Sequence, residues 1–550
     1  TNIDAALAAA LRQKTTCPPL VWSNVLVGTD TTLAPQAERD AGAPDLGYHY
    51  DPLDYVFCGV VASNCTFEAR AATAIGVYGG SSLSGFYLQA NALLVAEGEA
   101  TGPVRFARYN TVQEQSSGAW ADSNPGTHIL TCWQYGNTGA RLRFATWSGQ
   151  GVFLYVPYSK AAAVAASDCQ FIGGAVYAEQ PALSLTNCLF DRTAVWSDDP
   201  SATGEHGRFV NCLFRGGSLE LGFWDSGSWV FENNLFDGTT LVQYYTNGVT
   251  TAANAYCGTT PLQPTNSADR VLSAFTYTHG PLGRYYQVST DLYDAGSRAA
   301  DASGLYHHTV RADQAKEADS TVDIGFHYVA TQSYVASDGF SSNTQGANGW
   351  YYLYSTSLLG QPDTELPGWN STYNGWGNIP GDTFCLVGTN WQHAGIAHDS
   401  ARAFQVPASG TIRIDSVAWD RQNCGQDAVR ARVLHNSTEL IAWTHIPEGG
   451  TESAAIGFNA GPLRVAAGDW LCFQLNRNTN NTCDSVYWNP RISYQDSTQL
   501  ADTDGDGRPD YFEDRDGDGV VDLGETHWGV SGDPGLKVWI TRPADGGPVP

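Results

Sequence analysis

Asp502, Asp504, Asp506, Gly507, Asp510 and Glu513 stand at positions 1, 3, 5, 6, 9 and 12 of a twelve-residue stretch. Asp514, Asp516, Asp518, Gly519, Asp522 and Glu525 repeat the spacing with no residue between. Carboxylates at that interval offer what calcium requires, six to eight oxygens on a flexible cage. Gly507 and Gly519 allow the sharp turn, and the carbonyls of Arg508 and Val520 supply position 7. Glu513 and Glu525 close each ring with two oxygens. Without metal, ten carboxylates in 24 residues would repel one another. Two bound calcium ions are therefore expected. No room is left for the paired helices of a calcium sensor, so a rigid connector is expected rather than a switch. Such a connector points outside the cell, where calcium is plentiful.

Two other groups of residues could do chemistry. Asp191, Asp198, Asp199, Glu205, His206 and Asp225, with Arg192 and Arg208 near, could supply the paired acids of a polysaccharide hydrolase or the base of a lyase. Acidic residues in solvent-facing loops are the ordinary case, and no spacing among these is diagnostic. Trp369, Trp376 and Trp391 could stack on sugar rings, or they could fill a core, as Trp350 is expected to do.

The elements that would carry these residues are β-type. From about 50 to 330 a degenerate motif recurs: Asn64-Cys65-Thr66-Phe67, Asp168-Cys169-Gln170-Phe171, Asn187-Cys188-Leu189-Phe190, Asn211-Cys212-Leu213-Phe214 and Asn233-Asn234-Leu235-Phe236. The last four copies begin 19, 24 and 22 residues apart, a solenoid period. Each copy reads as one coil, with Leu and Phe expected inside and Asn at a left-handed corner. Cys169, Cys188 and Cys212 then fall in one column of small buried residues. Asp45-Leu46-Gly47-Tyr48-His49-Tyr50 precedes the repeats and Asp323-Ile324-Gly325-Phe326-His327-Tyr328 follows them. Each is read as an aromatic-flanked strand with a packed histidine. Residues 2–13 read as a short helix, a cap or a frayed terminus. After 331 the repeats stop, and Gly410–Ile414 and Val465–Leu475 read as strands of an antiparallel sandwich.

Composition narrows the setting. The net charge is −27, which argues against nucleic acid and anionic membranes as partners. No run is long enough to span a membrane. Methionine is absent, which reads as a processed chain whose secretion signal has been removed. Twelve cysteines, an even count, fit an oxidising compartment, with Cys58–Cys65 or Cys472–Cys483 as local pairs. No cysteine and histidine spacing suggests zinc or haem.

The chain resembles pieces of large secreted bacterial surface proteins. The Asn-Cys-Leu-Phe coils look like right-handed parallel β-helix modules. Residues 331–496 are similar to a jelly-roll module of extracellular carbohydrate-related proteins, through Gln345-Gly346, Trp350-Tyr351-Tyr352, Ala408–Ile414, Gly468-Asp469 and Asp484–Trp488. The tandem loops resemble thrombospondin type 3 or dockerin-like repeats, without the helices expected between dockerin loops. Leu536–Gly547 resembles the opening strand of an immunoglobulin-like domain. With Val538 and Ile540 it either begins a further domain or completes a neighbouring subunit.

The expectation is thus an all-β protein: an N-terminal cap over 1–50, a right-handed parallel β-helix over 51–330, a jelly-roll sandwich over 331–496, calcium loops over 497–530 and an orphan strand over 531–550. The expected role is an extracellular or cell-surface structural or adhesive protein that self-associates into a fibre or layer and meets a polysaccharide or surface glycan. The alternative is a secreted polysaccharide lyase or glycoside hydrolase of the β-helix type, with an accessory carbohydrate-binding sandwich.

Overall fold

A computed structural model describes residues 11–535 apart from 13, 40–48, 50–51, 79–84, 110–127, 133–137, 150, 157–161, 179–181, 198–206, 223–227 and 425–426. The helix expected over 2–13 falls almost wholly outside these residues, as does the strand carrying Val538 and Ile540. The chain forms two compact units. The first holds 1–310, 317–329 and 516–520, and the second holds 311–316, 330–515 and 521–550. Among the described residues no helix is long and apolar enough to cross a membrane.

The first unit is a parallel β-helix. Its coils deliver strands in turn to sheets of 11, 9 and 9 strands, each strand paired in parallel with its equivalents in the neighbouring coils. Register follows the sequence repeat. Phe171 faces Phe190, Phe190 faces Phe214, and Phe214 faces Phe236. Their rings stack at 5.0, 4.7 and 4.9 Å between centroids, and Tyr256 continues the column at 5.3 Å. The corner before each of these strands needs a left-handed residue. Asp168, Asn187, Asn211 and Asn233 supply it, with φ of 55, 49, 52 and 56°.

Three expectations change here. Cysteine and phenylalanine form the solenoid interior, while Leu189, Leu213 and Leu235, also buried, lie outside that cluster. Side chains alternate along a strand, so Leu between Cys and Phe must face the other way. Secondly, the first coil begins at Leu20, whose strand pairs with Tyr55–Cys58. The N-terminal 50 residues are therefore not only a cap. The last rung, Arg270–Leu272, ends well before residue 330. Thirdly, Cys58, Cys65 and Cys472 are free, and Cys424 bridges Cys483 instead. The other ten cysteines are thiols, eight of them buried, so the even count mostly reflects packing. Cys169, Cys188 and Cys212 line one interior column without a bridge. Burial, then the neighbouring thiols, pushes Cys188 well above the usual thiol range.

The chain that returns after the coils lies against the outward Leu235 at Gly325. Its segment 323–327 runs along the asparagine corner. Asn187 accepts from the His327 N–H at 2.7 Å and donates to the His327 carbonyl at 2.9 Å. Asn211 donates to the Asp323 carbonyl at 3.0 Å, and Gly325 N–H donates to the Asn233 carbonyl at 2.9 Å. His327 is fully enclosed, with Nε2 3.1 Å from Glu317. The second copy of the echoed motif therefore recognises the solenoid corner through its backbone. Of the first copy only His49 is described, and it is buried.

The second unit is an antiparallel sandwich built from sheets of 4, 6 and 7 strands. Gly410–Asp415 and Trp470–Asn476 are strands, as the alternation predicts. Trp350, Phe404, Phe473 and Trp488 fill the space between the sheets.

Two outcomes follow. Phe214→Ala opens a void between two stacked rings and is expected to destabilise the first unit by about 3–5 kcal/mol in chemical denaturation. A cost under about 1 kcal/mol would show that the column is not the core. The second outcome concerns Asp323. Burial, then the Glu317 charge, pushes its carboxyl up to about 8. A carboxyl raised on folding contributes stability that is complete below its unfolded value near 4 and is lost as pH rises through about 8. Amide exchange at 323–327 should therefore quicken beyond ordinary base catalysis between about pH 4 and about pH 8, and no further above it. An Asp323→Asn variant should lack that excess.

Candidate functional site

The first acidic loop lies wholly in the second unit. Gly505 and Gly507 adopt φ of 72 and 95°, which turns their N–H groups onto Asp502 at 2.8 and 3.0 Å. Asp504 accepts from Asp506 N–H at 3.1 Å, and Asp506 from Arg508 N–H at 2.9 Å. The turn gathers oxygens of Asp502, Asp504 and Asp506 to within 4.8 Å of one another. Asp504 Oδ2 and Glu513 Oε2 are buried without a hydrogen-bond partner. Burial, then the charges of Asp506 and Asp504, raises Glu513 against a hydrogen bond from Thr526. An all-oxygen set with orphaned lone pairs fits a hard divalent cation.

Asp510 departs from its expected place in that ring. It is fully buried at the start of a single helical turn, Asp510–Glu513. Its carboxylate accepts from Lys316 Nζ at 2.8 Å, Thr503 N–H at 2.6 Å and Thr503 Oγ1 at 2.7 Å. The lysine and Thr503 thus occupy the carboxylate that the spacing assigns to position 9. The second loop is shared out. Asp514, Asp522 and Glu525 belong to the second unit, where Glu525 accepts from Arg515 N–H at 2.7 Å and Asp522 N–H at 2.9 Å. Asp516, Asp518 and Val520 belong to the first unit, where Asp518 accepts from Val520 N–H at 2.8 Å and Tyr306 N–H donates to the Gly517 carbonyl at 3.0 Å.

The sandwich tryptophans divide. Trp376 is buried, stacks on Tyr352 at 5.7 Å and donates from Nε1 to the Ser341 carbonyl at 2.7 Å. It is a core residue, which corrects its reading as a sugar platform. Trp369 is half-buried against Phe340 at 5.9 Å. Trp391 is half-buried beneath the Arg421 guanidinium at 5.9 Å. Trp350 is enclosed in the core as expected.

A cleft of about 480 Å³ opens on the first unit. One side is a column of charge. Asp191, Arg215 and Asp237 each follow the stacked Phe of their coil and sit in register on successive rungs. Arg215 Nη1 lies 3.5 Å from Asp191, and Arg192 Nη2 lies 3.2 Å from the other oxygen of Asp191. The other side is an antiparallel hairpin, Tyr277–Gly280 with Gly283–Gln287. Tyr277 Oη donates to Asp237 at 3.0 Å, and the Arg215 guanidinium stands 5.6 Å from the Tyr285 ring centroid. Burial, then Asp237, raises Tyr277; burial, then the hydrogen bond to Asp191, raises Tyr285. Both phenols stay protonated donors at neutral pH. Arg215 Nε is buried without a partner. Phe275, Thr276, His279 and Arg284 complete the lining.

Of the acids first singled out on this unit, Asp191 is the one among the described residues, and it lines the cleft. Arg208 pairs with Glu232 at 3.6 Å, away from it. Asp198, Asp199, Glu205, His206 and Asp225 lie outside the described residues. Arg215, Asp237, Tyr277 and Tyr285 were not anticipated. A signal existed for the first two: Asp191, Arg215 and Asp237 occupy the same position after Phe in three aligned repeats.

No protein-family model matches the chain, and no curated protein matches it. Among solved structures it is similar to the C-terminal CBM6 of LamC, a marine laminarinase from Zobellia galactanivorans, at 15% identity and a TM-score of 0.12, over 18% of this chain and 80% of that one. It is similar to a ruminal GH26 endo-β-1,4-mannanase at 11% identity and a TM-score of 0.15, over 30% of this chain and 26% of that one. It is also similar to the enzymatically active domain of tailspike protein 4 of bacteriophage CBA120, at 7% identity and a TM-score of 0.16, over 80% of this chain and 64% of that one.

Chelation provides a direct check on the first acidic loop. Removing divalent cations should leave three crowded carboxylates uncompensated and open 502–513 to limited proteolysis. Restoring calcium should suppress those cuts, and an Asp504→Asn variant should be cut with or without it. Identical digestion in calcium and in chelator would remove the metal from this loop.

Proposed function

We propose that this chain is an extracellular, calcium-bearing glycan-binding protein, adhesive in role, that takes sugar units in the cleft beside Asp191, Arg215 and Asp237. The observation that carries the reading is the composition of that cleft. It joins carboxylate acceptors, guanidinium donors and protonated tyrosines around one concavity. A polyhydroxylated ligand uses acceptors and donors together and packs its C–H faces on aromatic rings. Three arginines, Arg192, Arg215 and Arg284, line it in a chain of net charge −27, which favours a sugar bearing a carboxylate or sulfate. Calcium in the tandem loops and residence outside the cell belong to the same proposal. The orphaned oxygens of Asp504 and Glu513 support the first, and high extracellular calcium makes the second its natural setting.

A second reading rests on the same column. Asp191 and Asp237 are two rungs apart, about 9.6 Å of backbone at the usual strand spacing. That is near the upper limit of the carboxylate separation in inverting glycoside hydrolases. Both acids already have partners, Arg192 and Arg215 on one and Tyr277 on the other. That arrangement suits holding a ligand better than transferring a proton.

An array of neutral and anionic oligosaccharides tests the assignment. Binding to anionic glycans is expected, weakened about tenfold or more in Arg215→Ala and in Tyr285→Phe, with unchanged melting temperature. Equal binding by both variants would refute the cleft. New reducing ends that disappear in Asp237→Asn would favour the hydrolase instead.

A further inference from the structure

Asp420 ends the strand Val417–Asp420, and Asp484 immediately precedes the strand Ser485–Trp488 that pairs with it. Register sets Ala418 opposite Trp488 and Asp420 opposite Val486. Arg421 N–H donating to the Ser485 carbonyl at 2.9 Å extends the pairing by one residue. Strand alternation puts Asp484 on the face of Val486, diagonally across from Asp420. That face is the core side: Ala418, Val486 and Trp488 are each 0% exposed. So are Asp420 and Asp484. Two carboxylates thus sit inside the sandwich, at the end of its sheet.

Neither has the partners that burial demands. Both oxygens of Asp484 and Oδ2 of Asp420 are buried without a hydrogen bond, while Oδ1 of Asp420 accepts from Gln422 N–H at 2.9 Å. Two further acids stand near. Asp427 accepts from Thr479 N–H at 2.8 Å and from the Asn480 amide, and Glu448 accepts from Cys424 N–H at 2.7 Å. Neither nearby arginine pairs with them. Arg421 donates to Ser485 Oγ at 3.1 Å, and Arg477 donates to the Thr479 carbonyl while its Nε is buried without a partner. Among the described residues no ion pair reaches Asp420 or Asp484. The Cys424–Cys483 bridge ties together the two chain segments that carry them.

An unpaired carboxylate in an apolar interior costs several kcal/mol, and two side by side cost more. Hydroxyls, amides or arginines would ordinarily fill these lone pairs. Here three orphaned carboxylate oxygens lie on one face of the sheet, and a compact cation that accepts oxygen ligands from a strand end would satisfy them. We propose that Asp420 and Asp484 ligate a structural calcium ion in the sandwich, a site separate from the tandem acidic loops. Carbonyl and water oxygens complete its shell. The ion locks the Asp420 strand end to the Asp484 strand end, beside the disulfide.

The test uses the full chain. Metal-free protein is titrated with calcium, and bound calcium is counted by elemental analysis after gel filtration. Asp420→Asn with Asp484→Asn is expected to bind one equivalent fewer than the unaltered chain while melting at or above the temperature of the unaltered metal-free chain. Equal stoichiometry would overturn the site. Hydrogen exchange on the unaltered chain guards against a variant that fails to fold. Amides of 417–422 and 484–488 should exchange at least tenfold more slowly on calcium addition. Unchanged exchange there would mean that the two acids hold protons, and would sink the proposal even if the tandem loops bind calcium.

Discussion

A single coil of this chain cannot hide its own apolar side chains from water; only the next coil can. Everything in the first unit depends on that constraint. Parallel pairing places Phe190 over Phe171, Phe214 over Phe190 and Phe236 over Phe214. Each ring is covered by its equivalent about 5 Å away, and the asparagine corners give each coil the same sharp bend. Because register is fixed by these inward residues, the outward residues inherit an equally strict alignment. The charged column of the cleft is therefore a by-product of hydrophobic stacking: Asp191, Arg215 and Asp237 align because the phenylalanines before them do.

The acidic character of the chain is managed in three ways, and each leaves a different chemical potential. Asp191 alternates with Arg215 along the column, so part of its charge is met within the fold. Asp510 is paired with one of only four lysines, Lys316, which anchors the loop. Asp484 and Asp504 are left with orphaned oxygens. The first pattern suits a polar ligand, the second a fixed strut, and the third a cation. Reading all acidic residues as one class would have merged these roles.

The solenoid was legible because its period is written in residues of unlike chemistry: Asn for the corner, Cys and Phe for the interior. The orientation of leucine was not, because a Leu buried beneath a returning segment looks like a Leu inside the coil. The first coil escaped notice since Leu20–Leu33 has strand character without the Asn-Cys-x-Phe signature. The cleft was half legible. Its floor lies in the repeat, but its wall comes from a hairpin around Tyr277 and Tyr285 that no local pattern joins to Asp237. The disulfide had no sequence signal either, with its partners 59 residues apart. Trp376 and Trp369 had looked alike as loop aromatics; what separates them is that Trp376 finds both a ring partner in Tyr352 and a carbonyl for its indole nitrogen.

The asparagine corner has a consequence for how the solenoid can change over evolutionary time. Since 323–327 docks to Asn187, Asn211 and Asn233 through its main-chain groups, the side-chain amides of Asn187 and Asn211 are fixed by that contact, and Asn233 meets it with its backbone carbonyl. The return segment works as a gauge laid against the coils: it counts three rungs and no other number. A duplicated or deleted rung within that span would leave the gauge one corner out of step, whereas rungs added before Asp168 would pass unmeasured. Growth in length is thereby directed to one end of the stack.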